Sequence, residues 1–143
     1  MIRAATVADA PRNLEIWRAA VRATHDFLAP DDLEAIDALV AEHLPAMVSW
    51  VKVDGEDRPL GFIAMTEAHV DALFVDPARH GSGVGRALMD HARSLHPALT
   101  VDVNEQNPRA IGFYERLGFA RTGRSETDDQ GRPYPLLHMR SPG

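Results

Sequence analysis

The sequence predicts an α/β (α+β) domain in which a mixed, mostly antiparallel central sheet of about six to seven strands is flanked by about four helices. Three observations carry this expectation. The N-terminal third holds two apolar stripes at helical spacing, the middle holds three consecutive strand-like runs, and the remainder alternates helix and strand behind a glycine-rich loop.

Residues 2–6 read as a short strand. Ala10, Leu14, Trp17 and Val21 then recur at helical spacing behind Thr6, a cap residue with Asp9 three positions on, which predicts a first helix from Val7 to Val21. A connector, Ala23 to Leu28, leads to Pro30. Leu33, Ile36, Val40, Leu44 and Met47 form a second stripe, capped by Asp31 with Glu34 and kinked or ended by Pro45. The period then changes. Val48–Val53, a polar turn from Asp54 to Pro59, and Leu60–Thr66 read as a hairpin, and His69–Val75 adds a third antiparallel run. Arg79–Gly85 is a glycine-rich loop opening a helix that carries Val84, Leu88, Ala92 and Leu95. Pro97 closes it before the strand Leu99–Val103. The last helix has Asn107 as cap, Pro108 at its first position, Ala110, Ile111, Tyr114 and Leu117 on one face, and Gly118 beyond its end. Phe119–Ser125 and Leu136–Arg140 are strands around the turn Asp128–Gly131. No repeat, low-complexity tract or linker divides the chain, so residues 1–143 read as one domain.

The formal net charge of −6 supplies no basic footprint, so neither nucleic acid nor a membrane surface is an expected partner, and an acidic surface suits a cationic substrate. The chain has no cysteine, which excludes thiolate nucleophiles and disulfides and makes a cytoplasmic location the default. No apolar stretch approaches the roughly 20 residues that span a bilayer. His43, His91, His96 and His138 lack metal-ligand spacing, and no metal is expected.

The strongest local signal is Leu73-Phe74-Val75-Asp76-Pro77 followed by Arg79-His80-Gly81-Ser82-Gly83-Val84-Gly85-Arg86, a strand delivered into glycines that begin a helix. Such a turn lets backbone N–H groups and the positive end of the helix dipole close on an anion such as a pyrophosphate. Taken alone, it is equally a tight strand-to-helix turn. A dinucleotide fingerprint is the nearest functional competitor, with Asp102 in the place of its ribose-binding acid. Arg86 stands against that reading, because the fingerprint's third glycine packs helix on strand.

Together, the loop His80-Gly81-Ser82-Gly83-Val84-Gly85 and the run Asn107, Ala110, Phe113-Tyr114, Leu117-Gly118-Phe119 resemble the two signature segments of the GNAT superfamily of N-acetyltransferases. The likeness covers nearly the whole chain. His80 stands where the family usually has Gln or Arg. Small bacterial members are similar at residues 23–28, 71–74, 103–107 and 133–137 as well.

The resemblance implies acetyl-CoA as co-substrate and direct transfer of its acetyl group to a primary amine of a small molecule or peptide, in a ternary complex. It places the cofactor on Leu73, Phe74 and Val75, on His80, Gly81, Ser82, Gly83, Val84, Gly85 and Arg86, and on Asn107, Ala110 and Tyr114. Tyr114 is the implied general acid toward the departing thiolate. The general base is open among His69, Glu67 and Asp71, and strand alternation puts His69, Asp71 and Leu73 on one face. His25, Asp26 and Phe27 of the connector are the implied acceptor-binding residues. Asp31, Asp32, Glu34 and Asp37 read as a capped, solvated helix face. An edge strand in the C-terminal part is open to pairing across a homodimer. A non-catalytic acyl-CoA-binding sensor or interaction module, or a nucleotide-binding domain using the same loop, is the alternative reading.

Overall fold

The computed structural model describes residues 1–142. Its strands are β1 Ile2–Ala4, β2 Ser49–Val53, β3 Pro59–Thr66, β4 His69–Val75, β5 Thr100–Asn104, β6 Ala120–Ser125 and β7 Leu136–Arg140; its helices are α1 Ala10–Thr24, α2 Pro30–His43, α3 Val84–Leu95 and α4 Pro108–Arg116. The strands form one sheet in the order β1-β2-β3-β4-β5-β7-β6. Every neighbouring pair is antiparallel except β4 with β5, which α3 joins by a crossover. This is the mixed, mostly antiparallel sheet that the period changes predict.

One face of the sheet is buried along β3, β4, β5 and β7, the other over β2, β3 and part of β4. On one face Val84, Leu88, Met89 and Ala92 of α3 and Ile111 of α4 pack with Ile63, Val101, Val103 and Met139. On the other, Ile16, Trp17 and Val21 of α1 pack with Val51, Val53 and Phe62. Burying each such side chain contributes ~1.5–3 kcal/mol. Gly61 lets α3 sit directly on β3, since a Cβ there would stand 2.8 Å from Val84 Cγ1 and 3.0 Å from the Phe74 carbonyl oxygen.

Four details depart from expectation. The Thr6–Asp9 capping box opens a single 3-10 turn over Val7–Asp9, and α1 begins only at Ala10. Pro11 has no N–H to return to the Val7 carbonyl, so the α-helical ladder cannot start earlier. In α2 the cap is Ala29, extended at ψ 144, with Pro30 behind it; Asp31 lies inside the first turn.

The acids of α2 are also not a plain solvated face. Asp37 takes Arg18 through two bonds of 2.8 and 2.9 Å, and Asp32 takes the Tyr134 hydroxyl at 2.5 Å. Finally, β4 carries an irregularity. Ala64 pairs with Ala72 but Met65 pairs with Val70, leaving Asp71 as the extra residue of a bulge. The bulge reverses the alternation, so Leu73 and Val75 pack toward α3 and α4 whereas His69 points to the opposite face.

No helix among the described residues is long and apolar enough to cross a membrane.

Candidate active site

Strand β4 pairs with β5 at only two positions, His69–Thr100 and Val70–Val101. Beyond them the strands part. The other edge of β4 stays bonded to β3 as far as Val75 opposite Gly61, so Leu73–Val75 turn one unpaired edge toward the gap. The gap widens into a cavity of about 430 Å³.

One end of the cavity is the turn into α3. Its approach is fixed by Asp76, whose carboxylate accepts from Ala78 N at 3.0 Å and from Arg12 Nη2 at 2.7 Å, tying the loop to α1. Gly81 and Gly83 sit in the left-handed region at φ 80 and 87, where L side chains are strained. A Cβ on either would meet no atom within 4 Å, because both face the open space before the loop. Gly83 is the N-cap of α3, and no side chain caps that end among the described residues. The first amides of the helix, from Val84 to Arg86, are therefore presented to the cavity together with the helix dipole. An acyl-CoA pyrophosphate fits this cradle: it needs close backbone approach, unclaimed N–H donors and positive potential. Arg79, Arg86, Arg109 and Arg116 line the same space.

The opposite wall comes from α4. Asn107 Oδ1 caps the helix by accepting from Ala110 N at 3.2 Å. Tyr114 is only 6% exposed, with Phe113 and Phe119 edge-on at 5.2 and 5.3 Å. Burial pushes its phenol well above the ordinary tyrosine range, so at neutral pH it is a proton donor and not a phenolate.

Of the cofactor-contacting residues implied by sequence, all but one line this cavity: Leu73, Phe74, Val75, His80, Gly81, Gly83, Val84, Gly85, Arg86, Asn107, Ala110 and Tyr114. Ser82 is the exception, its hydroxyl turned back to the Arg79 carbonyl at 2.5 Å. The three base candidates separate. Glu67, in the β3–β4 turn at φ 53, and Asp71, held by Thr66 Oγ1 at 2.5 Å, line a different hollow with Trp50 and His96. His69, also outside the cavity wall, opens the short β4–β5 pairing opposite Thr100, with Nδ1 2.7 Å from Thr100 Oγ1 and Nε2 3.5 Å from Asp102 Oδ2.

His25, Asp26 and Phe27 of the connector sit beside the cavity without lining it. His25 Nε2 lies 3.3 Å from Asn104 Nδ2 of β5, and burial holds its imidazole below the usual pKa and therefore neutral. Phe27 stacks between His25 and Tyr134 at 5.2 and 6.0 Å, whereas Asp26 is exposed. Thr24, Ala20 and Ala23 of α1, and Arg109 and Arg116 of α4, are wall residues that sequence reasoning missed. The seven-residue spacing of the two arginines, two helical turns on one face, is the signal that could have found them.

A family model described as acetyltransferase (GNAT) domain matches residues 20–140. The chain is 50% identical over 126 residues to a Salmonella typhimurium protein named peptidyl-lysine N-acetyltransferase YjaB, covering 88% of this chain and 87% of the relative. It is 51% identical over 124 residues to the Escherichia coli protein of the same name, covering 87% and 84%. The solution structure of apo YjaB from Escherichia coli superimposes with a TM-score of 0.95 at 46% identity, over 100% of this chain and 97% of that one.

Proposed function

The chain belongs to the GNAT acetyltransferase family, and from that premise we propose that it carries the acetyl group of acetyl-CoA directly to the ε-amine of a protein lysine in a ternary complex. The observation that carries this reading is the parting of β4 and β5 into a cavity that has an uncapped helix N-terminus at one end and the protonated Tyr114 on its wall. The names of the Salmonella and Escherichia coli relatives favour peptidyl lysine as the acceptor class.

In this reading the amides at the start of α3, with Arg79 and Arg86, take the cofactor's phosphates. The local field is positive although the chain as a whole carries −6. The free edge of Leu73–Val75 takes the amide-bearing arm and offers a backbone N–H to the acyl carbonyl, where negative charge grows during transfer. Tyr114 donates its proton to the departing sulfur. Of the three base candidates, His69 is favoured, because its imidazole reaches toward Asp102, the first β5 residue beyond the β4–β5 pairing, while Glu67 and Asp71 line another hollow. Strand β6, at the sheet edge, is the surface through which a second copy would pair.

Calorimetric titration with acetyl-CoA, with NAD and ATP as controls, tests the cofactor assignment, and thiol release with a lysine peptide tests turnover. Binding without thiol release would favour a sensor; no binding of acetyl-CoA would undo the reading.

A further inference from the structure

Val101 and Val103 point into the core beneath α3 and α4, so the alternate residues Thr100, Asp102 and Asn104 point to the other face of β5. The α1 side of the core draws on β2, β3 and the Ala72 and Phe74 positions of β4, which leaves that face of β5 and β7 open. On this open face Asp102 lies between two imidazoles from neighbouring strands. Its Oδ1 is 2.6 Å from His138 Nδ1, and its Oδ2 is 3.5 Å from His69 Nε2. His138 Nε2 lies 2.7 Å from Ser125 Oγ. Asp102 is also the first β5 residue beyond the last β4–β5 pair, at the point where the cleft begins.

The two histidine contacts differ in kind. At 2.6 Å, His138 Nδ1–H donates to the carboxylate. At 3.5 Å, His69 Nε2 makes no hydrogen bond with it. In the tautomer whose Nδ1–H donates to Thr100 Oγ1 at 2.7 Å, His69 keeps a lone pair on Nε2. Two acceptors, a carboxylate oxygen and an imidazole nitrogen, then stand side by side with no proton between them. A primary ammonium, with three donors and a positive charge, satisfies both at once.

We propose that Asp102 and His69 form the seat of the acceptor's ammonium group, with His138 as the positioning residue that orients the carboxylate. This rests on the reading of the chain as a lysine acetyltransferase. On binding, one ammonium N–H bond breaks, the proton forms an N–H bond at His69 Nε2, and the electron pair left on nitrogen becomes the nucleophile. The imidazolium so formed faces Asp102, whose charge stabilises it. Arg140 shares this face two residues along β7, and His25 stands beyond Asn104; Glu67 and Asp71 turn toward Trp50 and His96.

The test compares the wild type with Asp102→Asn, Asp102→Glu, His69→Gln and His138→Gln, using acetyl-CoA and a lysine peptide. Asp102→Asn is expected to raise the peptide KM about tenfold or more, the scale of a lost charge-assisted contact, while acetyl-CoA affinity stays as in the wild type. Asp102→Glu restores part of the loss. His69→Gln lowers kcat and removes the acid-side limb of the kcat/KM pH profile, and His138→Gln raises KM with little change in kcat. An unchanged peptide KM in Asp102→Asn, with acetyl-CoA still bound, overturns the proposal; failure of the wild type to bind acetyl-CoA overturns the functional reading beneath it. Should Asp102→Asn not fold, NMR of the wild-type histidines decides. Nα-acetyl-lysine amide shifts the His69 ring resonances and the norleucine analogue does not, and equal responses to both count against the seat.

Discussion

The Tyr134 hydroxyl, from the loop between β6 and β7, donates to Asp32 Oδ2 of α2 at 2.5 Å and at the same time accepts from Ala29 N at 2.9 Å. One side chain thus ties the C-terminal hairpin to the connector that carries His25 and Phe27. Tyr134→Phe removes both bonds while keeping the stack on Phe27. The loosened connector is expected to raise the peptide KM roughly three- to tenfold, a fraction of the combined worth of the two lost hydrogen bonds, with acetyl-CoA affinity unchanged. Steady-state kinetics over both substrates check this, and a rise in the acetyl-CoA term alone would contradict it.

Gly83 combines a φ of 87 with an open approach to the helix amides. Gly83→Val adds backbone strain of ~1–2 kcal/mol and places a branched side chain where the phosphates approach. With charge-assisted bonds worth ~1.5–3 kcal/mol each, losing two weakens acetyl-CoA binding by about 10²-fold or more. Calorimetry giving wild-type affinity would refute the loop assignment.

Tyr114→Phe deletes one hydroxyl from a packed aromatic cluster and leaves the rings in place. Stability and acetyl-CoA affinity should hold while kcat falls by the ~10²–10⁴ typical of a lost general acid. An unimpaired rate would remove Tyr114 from that role.

Asp9, 7% exposed, takes Arg3 through bonds of 2.8 and 3.0 Å and the Thr6 amide at 2.8 Å. Arg3 chiefly, with the Thr6 amide, holds its carboxyl below the ordinary value of 3.8. A group whose pKa is depressed by folding contributes stability above its unfolded pKa and loses it as pH falls through the folded one. Asp9→Ala should therefore cost about 1–3 kcal/mol at neutral pH, with the gap to wild type narrowing below pH 3.8. Urea unfolding at pH 7 and pH 3 reads the difference; a gap independent of pH would show that the ion pair is not its source.

Much of this site is legible in the sequence because its signals are local. The glycines of the α3 turn and the Asn107-Pro108 start of α4 each need only their neighbours, and their side chains and amides line the cavity as the spacing implies. What escapes depends on distant partners or on counting. Asp32 looks like one acid of a helix face until Tyr134, 102 residues away, folds onto it. Alternation along β4 assigns His69 and Leu73 to one face, and the single extra residue Asp71 reverses that assignment. The same slip hides the closeness of His69 and Asp102, which only the parallel pairing of β4 and β5 creates.

Direct transfer of an acetyl group to lysine is the central claim. Mass spectrometry of a lysine peptide incubated with the protein and acetyl-CoA, with release of free CoA thiol followed in parallel, tests it most directly. The account predicts one acetyl group on the lysine Nε for each thiol released, with both signals slowed together in Tyr114→Phe. Acetyl-CoA bound without thiol release or peptide acetylation, or thiol released at the same rate without peptide, would contradict it.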